Sequence, residues 1–313
     1  MIIMKTLNQK IQYFLIAIAM VGVLASCNKD EDEPMVESKN IVETAVSDPQ
    51  FSILVSALQK ADLVSALQGP GPFTVFAPTN DAFNTLFSQL GVSGIDALSA
   101  EALTPILLNH VVSGSVKSSD ISTGYAMTLN TTAPGQNAVK VYIEKTSGVK
   151  VDGSNVTTAD VMATNGVIHV IDKVIIPATA VNHAINNPNF SILVQAVVKA
   201  GLVDALSAAG PFTVFAPTND AFNALFNTLG VSGIADLTAD QLTPILLYHV
   251  VSGNVTASQV SSGNVPTLKE GSDISIVASQ MGVQLNGNAN VIATDVQGSN
   301  GVIHAIDAVI LPM

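Results

Sequence analysis

Apolar residues along this chain follow two rhythms, and the pair of rhythms occurs twice. From Asn40 to Val46 and again from Phe51 to Leu67 they fall at helical spacing. Phe51, Leu54, Val55, Leu58, Ala61, Leu63 and Leu67 form one face, which predicts a single helix ending at Gly69-Pro70-Gly71-Pro72. Phe73 to Phe76 is a short β-type run that Pro78 stops. Thr79, Asn80 and Asp81 are all helix-capping types, and Ala82, Phe83, Leu86, Phe87 and Leu90 then make an apolar helical stripe. Gly91 and Gly94 mark a loop. Ser99 to Asn109 reads as helix again, kinked or restarted at Thr104 by Pro105. From His110 the rhythm changes. Val111, Val112, Val139, Val141, Ile143, Val149 and Val151 sit in short runs between Gly, Ser, Thr and Asn, so this half is β. Asp152-Gly153 is a hairpin signal. The run from Val167 to Ile171, apolar except for His169, predicts a strand buried on both faces.

The whole pattern then repeats. Gly210–Asn223 matches Gly71–Asn84 at every position, and Asn300-Gly301-Val302-Ile303-His304 matches Asn165-Gly166-Val167-Ile168-His169. Long exact repeats imply two copies of one domain, at residues 39–177 and 180–313, with a short link around Ala178. The copies keep step as far as His110 and His249 but not at Asn165 and Asn300. Insertions and deletions therefore fall in the β hairpins, where surface loops tolerate them.

Composition narrows the function. Hydrophobic residues make up 48% of the chain, aromatics only 5%, and Trp is absent, so aliphatic side chains build the cores. The formal charge is −12 and all 12 basic residues are Lys. An acidic chain without the bidentate guanidinium is poorly suited to nucleic acid or nucleotides. The single cysteine, Cys27, follows Lys5, Lys10, an apolar run from Tyr13 to Leu24, and Leu24-Ala25-Ser26. Basic start, short apolar core and small residues describe a signal peptide over 1–26. Its apolar run is shorter than the roughly 20 residues of a spanning helix. Leu-Ala-Ser-Cys resembles the bacterial lipobox, which implies cleavage before Cys27 and lipidation of its sulfur. The acidic run Asp30-Glu31-Asp32-Glu33 within 27–38 reads as a solvated tether. It also resembles the export signal of some surface lipoproteins. An outer-membrane, surface-exposed lipoprotein is expected, the alternative being one that faces the periplasm.

Three blocks carry a family resemblance: Phe-Thr-Val-Phe-Ala-Pro-Thr-Asn-Asp-Ala-Phe, Ile-Leu-Leu-Tyr-His-Val-Val at 245–251, and Asn-Gly-Val-Ile-His-Ala-Ile-Asp. In this order, in both copies, they resemble the signature boxes and histidine segment of the fasciclin (FAS1) domain. The resemblance implies an α+β fold: two tandem domains, each a wedge-shaped β-sandwich of about seven strands with helices packed alongside. It also implies adhesion or extracellular recognition, with a protein or polysaccharide partner. Two short elements of adhesive members map onto this chain. The Tyr-His pair becomes Tyr248-His249, with Asn109-His110 in the first copy. The Asp-Ile pair becomes Asp160-Val161 and Asp295-Val296, with Val in place of Ile. These are carried over as surface positions for a partner.

Plainer readings stand beside these. Four histidines recur as pairs, His110/His249 and His169/His304, and read as core rings bonded to backbone rather than as metal ligands or catalysts. His183 has no counterpart and reads as surface. Asp160 and Asp295 also fit caps of the turn before Asn-Gly. No nucleophile, phosphate-loop or zinc motif is present, so no enzyme and no cofactor is expected. A glycan-binding accessory protein of a surface uptake system is the alternative, and a hydrolase with a loop-borne site a more distant one.

Overall fold

The computed structural model describes residues 38–312; the predicted signal peptide, most of the tether and Cys27 lie outside them. The first domain runs α1 (Ile41–Val46), α2 (Ser52–Lys60), α3 (Val64–Gln68), β1 (Phe73–Pro78), α4 (Asn80–Leu90), α5 (Ala100–Asn109), β2 (Val111–Ser113), β3 (Gly124–Met127), β4 (Lys140–Lys145), β5 (Val149–Val151), β6 (Ser154–Ala163) and β7 (Gly166–Ile171). The second repeats it as α6 (Ala180–Asn186), α7 (Ser191–Lys199), α8 (Val203–Ser207), β8 (Phe212–Pro217), α9 (Asn219–Leu229), α10 (Ala239–Tyr248), β9 (Val250–Ser252), β10 (Gly263–Pro266), β11 (Asp273–Ser279), β12 (Gly282–Leu285), β13 (Ala289–Gly298) and β14 (Gly301–Ile306). Each domain is α+β. Its seven strands are ordered β2-β1-β7-β6-β5-β4-β3, and β10-β11-β12-β13-β14-β8-β9 in the second copy. The sheet curls until a bridge between Val112 and Thr128 brings its two ends together.

The central pair β1 and β7 is parallel, with Phe73 opposite Gly166 and Pro78 opposite Ile171. Its two faces feed two cores. Val75, Ala77, Ile168 and Val170 pack against the helices with Phe51, Phe83 and Leu103. Phe76 and Ile171 point the other way, toward Val141, Ile143 and Val151 of the curled half. Burial on both faces is why β7 is apolar on both, His169 excepted.

The repeated stretch that opens β1 is structural throughout. Thr79 caps α4 by accepting from Ala82 N, and Gly91 ends the helix in the left-handed conformation. Asn80 reaches sideways instead. It accepts from Ile53 N and donates to Pro49 O, tying α4 to the start of α2. At the other box, Asn165 accepts from Ile41 N and donates to Leu67 O and Gly69 O, satisfying backbone groups at the start of α1 and the end of α3. A Cβ on Gly166 would run into the Phe73 backbone, so β1 and β7 can approach only with glycine there.

Two local expectations are corrected. The stripe from Phe51 to Leu67 is two helices, because Asp62 turns the chain with φ +56°. The helix α5 runs unbroken through Pro105 from its Ser99 cap instead of restarting at Thr104.

Candidate functional site

The Tyr-His segment closes α10. Tyr248 is wholly buried, and its hydroxyl donates to Asp273 O at 2.8 Å and accepts from Asn286 Nδ2 at 2.9 Å. His249 Nδ1 lies 2.8 Å from Ile245 O, and its Nε2 accepts from Ile310 N at 3.1 Å. His110 does the same with Ile106 O at 2.7 Å and Ile175 N at 2.8 Å. Each ring is thereby fixed with the proton on Nδ1, and pins the helix end to the chain that follows the central strand. Burial pushes both imidazoles down to about 4, against a smaller upward pull from the carbonyl. The expectation of a surface position is therefore corrected for Tyr248, His249 and His110. Their aliphatic neighbours, Leu246 and Val250 among them, draw the segment into the core.

Asp160 and Asp295 sit on matching bulges. Register shifts in β6 and β13 leave them at φ +61° and +59°. The Asp160 carboxylate accepts from the hydroxyl and then the backbone N of Ser118, which hold it below the usual carboxylate range. Asp295 accepts from Ala257 N at 2.7 Å. Both cap the loop after β2 or β9, not the turn before Asn-Gly. Their own N–H groups point at ring nitrogens, Asp160 N at His169 Nδ1 (3.3 Å) and Asp295 N at His304 Nδ1 (3.4 Å), while the Nε2 atoms lie 2.9 Å from Val116 O and Val255 O. Ser118, Asp160 and His169 thus have the residue types of a hydrolytic triad with the wrong connections: the carboxylate holds the serine, and the ring is spent on backbone. Val296 is buried, correcting its expected exposure, whereas Asp160, Val161 and Asp295 remain half-buried. Among the described residues no cluster of three or more potential metal ligands occurs.

His183, expected at the surface, is instead completely buried at a seam between the domains. Its ring meets Tyr125 of β3 edge-on at 5.7 Å, and Tyr125 in turn packs on Tyr142 of β4 at 5.1 Å. Asn187 donates to the Tyr125 hydroxyl at 3.1 Å, Asn186 to Asp152 Oδ1 at 3.2 Å, and Asn254 to Pro134 O at 3.2 Å. Burial pushes His183 down to about 4, Asp152 up to about 6 and Tyr125 up to about 12. The connection carrying Pro134 is the place where the first copy is longer, so the inserted residues reach the other domain. Sequence reasoning missed the seam, yet it left a signal. His183 matches Thr44 in the other copy, and Tyr125 and Tyr142 match Asn264 and Ser275. Tyr125 and His183, each aromatic in one copy only, are the rings that meet across the seam.

Comparison with known proteins agrees with this architecture. The Fasciclin domain matches residues 49–177 and again 188–312. The chain belongs to the fasciclin family. A relative in Synechocystis, protein sll1483, is 52% identical over 134 residues, 43% of this chain and 73% of that one. The pig transforming growth factor-beta-induced protein ig-h3 is 30% identical over 79% of this chain, which spans only 35% of that protein. The cell surface glycolipoprotein MPB83 of Mycobacterium bovis is 35% identical over 41% of this chain and 58% of its own length. A solved FAS1 domain pair from the insect cell adhesion molecule Fasciclin I superposes with a TM-score of 0.51 at 20% identity, covering 82% of this chain and 95% of that one. That likeness speaks to the fold of the fasciclin pair.

Proposed function

We propose that this fasciclin protein is a lipid-anchored surface protein that binds an extracellular matrix protein or a polysaccharide. The observation that carries the reading is the tandem pair of fasciclin domains, the arrangement of the FAS1 pair from the insect cell adhesion molecule Fasciclin I. Similarity to a protein named as a cell surface glycolipoprotein supports the anchored part, together with the lipobox-like sequence at Cys27. Two acyl chains or more hold a protein at a membrane where one does not. Any contact by the predicted elements falls to Asp160, Val161 and Asp295, because Tyr248, His249, His110 and Val296 serve the core.

The test has two arms. Cys27→Ala releases the protein from the membrane fraction; unchanged fractionation removes the anchor. Cells lacking the protein adhere less to immobilised matrix proteins or glycans than cells displaying it; equal adhesion removes the recognition role.

A further inference from the structure

Where the curled sheet nearly closes, each domain opens a cleft, of about 180 Å³ in the first and about 190 Å³ in the second. Every residue lining the second cleft has its counterpart lining the first. The shared floor is an aromatic ring and three aliphatic side chains: Phe76, Val112, Val116 and Ile143, matched by Phe215, Val251, Val255 and Ile276. The clefts exist because β2 and β3 touch at Val112 and Thr128 and splay apart beyond it, the loop from Ser115 to Thr123 crossing the gap. Such a volume holds one small ring, since an apolar cavity of about 150 Å³ takes up benzene. The rims differ in one charge. Asp120 lines the first cleft and Gln259 the second. Among the described residues the Asp120 carboxylate has only the Ser119 hydroxyl on it. The neighbouring Lys145 ammonium is held by the carbonyls of Ser118, Ser119 and Ile121 and does not line the cleft.

We propose that both clefts are binding sites for a compact apolar group, and that the first is selective for a small organic cation: an aryl or branched alkyl group carrying an ammonium. The apolar part fills the space over Phe76, and the ammonium meets Asp120 at the mouth. The second cleft takes the same apolar part with no preference for charge. The first cleft is also wired to the seam. Tyr125 lines it, and the hydroxyl of that residue accepts from Asn187 of the other domain. Occupancy is therefore felt across the domain boundary.

An NMR titration of the isotope-labelled full chain with benzylamine, set against neutral benzyl alcohol, tests this. Benzylamine shifts the amides of Ala126 and Ile143 at lower concentration than those of Val265 and Ile276, and carries Asn187 with the first set; benzyl alcohol treats the clefts alike. Asp120→Asn weakens benzylamine in the first cleft roughly three- to fivefold, the range of an exposed ion pair. Gln259→Asp confers the same preference on the second cleft. Ala126→Phe fills the first cleft, and the second, still binding, reports that the chain is folded. Shifts scattered away from both clefts, or unaltered by Ala126→Phe, overturn the site. Equal ranking of the two probes in the first cleft overturns its selectivity.

Discussion

At the end of α5 the first domain carries Asn109, and at the end of α10 the second carries Tyr248. Around this one difference the two copies solve the same packing problem in different ways. In the second domain the Tyr248 hydroxyl sits between Asp273 O and Asn286 Nδ2, so the polar tip of a large buried side chain is satisfied. In the first, Asp152 replaces Asn286 and holds Tyr142 N as Asn286 holds Ser275 N. Among the described residues Asn109 Nδ2 and Asp152 Oδ2 are buried there without a partner. The second domain spends the position on core packing. The first places two polar side chains there, and Asp152 also accepts from Asn186 across the seam. A duplicated fold need not duplicate its stability: the same position is a satisfied buried ring in one copy and an amide with an unpartnered nitrogen in the other.

Truncation at this position gives the largest separation. Tyr248→Ala removes a wholly buried ring and strands the Asn286 amide, and is expected to cost about 4 kcal/mol. Asn109→Ala, which deletes a group already lacking one partner, is expected to cost about 1 kcal/mol. Denaturant unfolding followed by hydrogen exchange in each domain reads both. Equal costs would mean that the two positions do the same job.

Acid separates the domains next. His183, His249 and His304 are held below 6.5 by burial, the first two down to about 4. A group depressed in the fold stabilises above its unfolded pKa and loses that contribution as pH falls from 6.5 toward 4. The first domain has His110 shifted the same way, but Asp152 opposes it. Its carboxyl is raised from 3.8 to about 6, so the folded state binds that proton more tightly and gains stability as pH falls through 6. At pH 5 the second domain is expected to have lost about 3 kcal/mol more than the first. Amide protection measured between pH 7 and 5 should fail first in the second domain. Asp152→Asn should stabilise the first domain at pH 7 and remove its acid cushion. Earlier failure of the first domain would contradict the assignment.

Much of this was legible in the sequence. The helical and β halves, the paired domains, the Asp152-Gly153 hairpin and the buried strand at Val167–Ile171 follow from spacing and turn chemistry, because each depends on neighbours in the chain. The reading of four histidines as core rings holds as well, although their ring partners lie far along the chain and the Tyr-His resemblance had put His110 and His249 at the surface. What could not be read depends on partners far along the chain. The burial of His183 is set by Gln297 and Tyr125, and the role of Asp160 by Ser118. Tyr248 and His249 show that a short element can keep its residue types while its side chains face inward, since exposure is fixed by packing and not by the dipeptide.

The seam gives a smaller effect. Tyr125→Ala removes the ring contact with His183 and the acceptor for Asn187. An expected loss of about 1–2 kcal/mol should appear as uncoupling, with two unfolding transitions in place of one concerted event. Asn264, at the matching position of the second domain, is exposed, so Asn264→Ala should leave the coupling of these two domains intact. A Tyr125→Ala chain that still unfolds as one unit would place the coupling elsewhere.

The smallest effect comes from the turn between the second and third helices of each copy. Asp62 occupies it at φ +56° and Gly201 at φ +68°. The two turns close with the same bonds, Leu63 N to Leu58 O and Leu202 N to Val197 O, both 3.0 Å. A Cβ placed on Gly201 would meet nothing within 4 Å. The cost of a side chain here is therefore backbone strain alone, partly offset because glycine loosens the unfolded chain. Aspartate tolerates the left-handed region better than most residues, which keeps the difference small. Asp62→Gly should stabilise the first domain by about 0.5 kcal/mol and Gly201→Asp should destabilise the second by a similar amount, read as opposite shifts in thermal midpoint. If both substitutions move the midpoint in the same direction, strain at this turn is not what separates the two copies, and the contribution of Asp62 must lie in its charge.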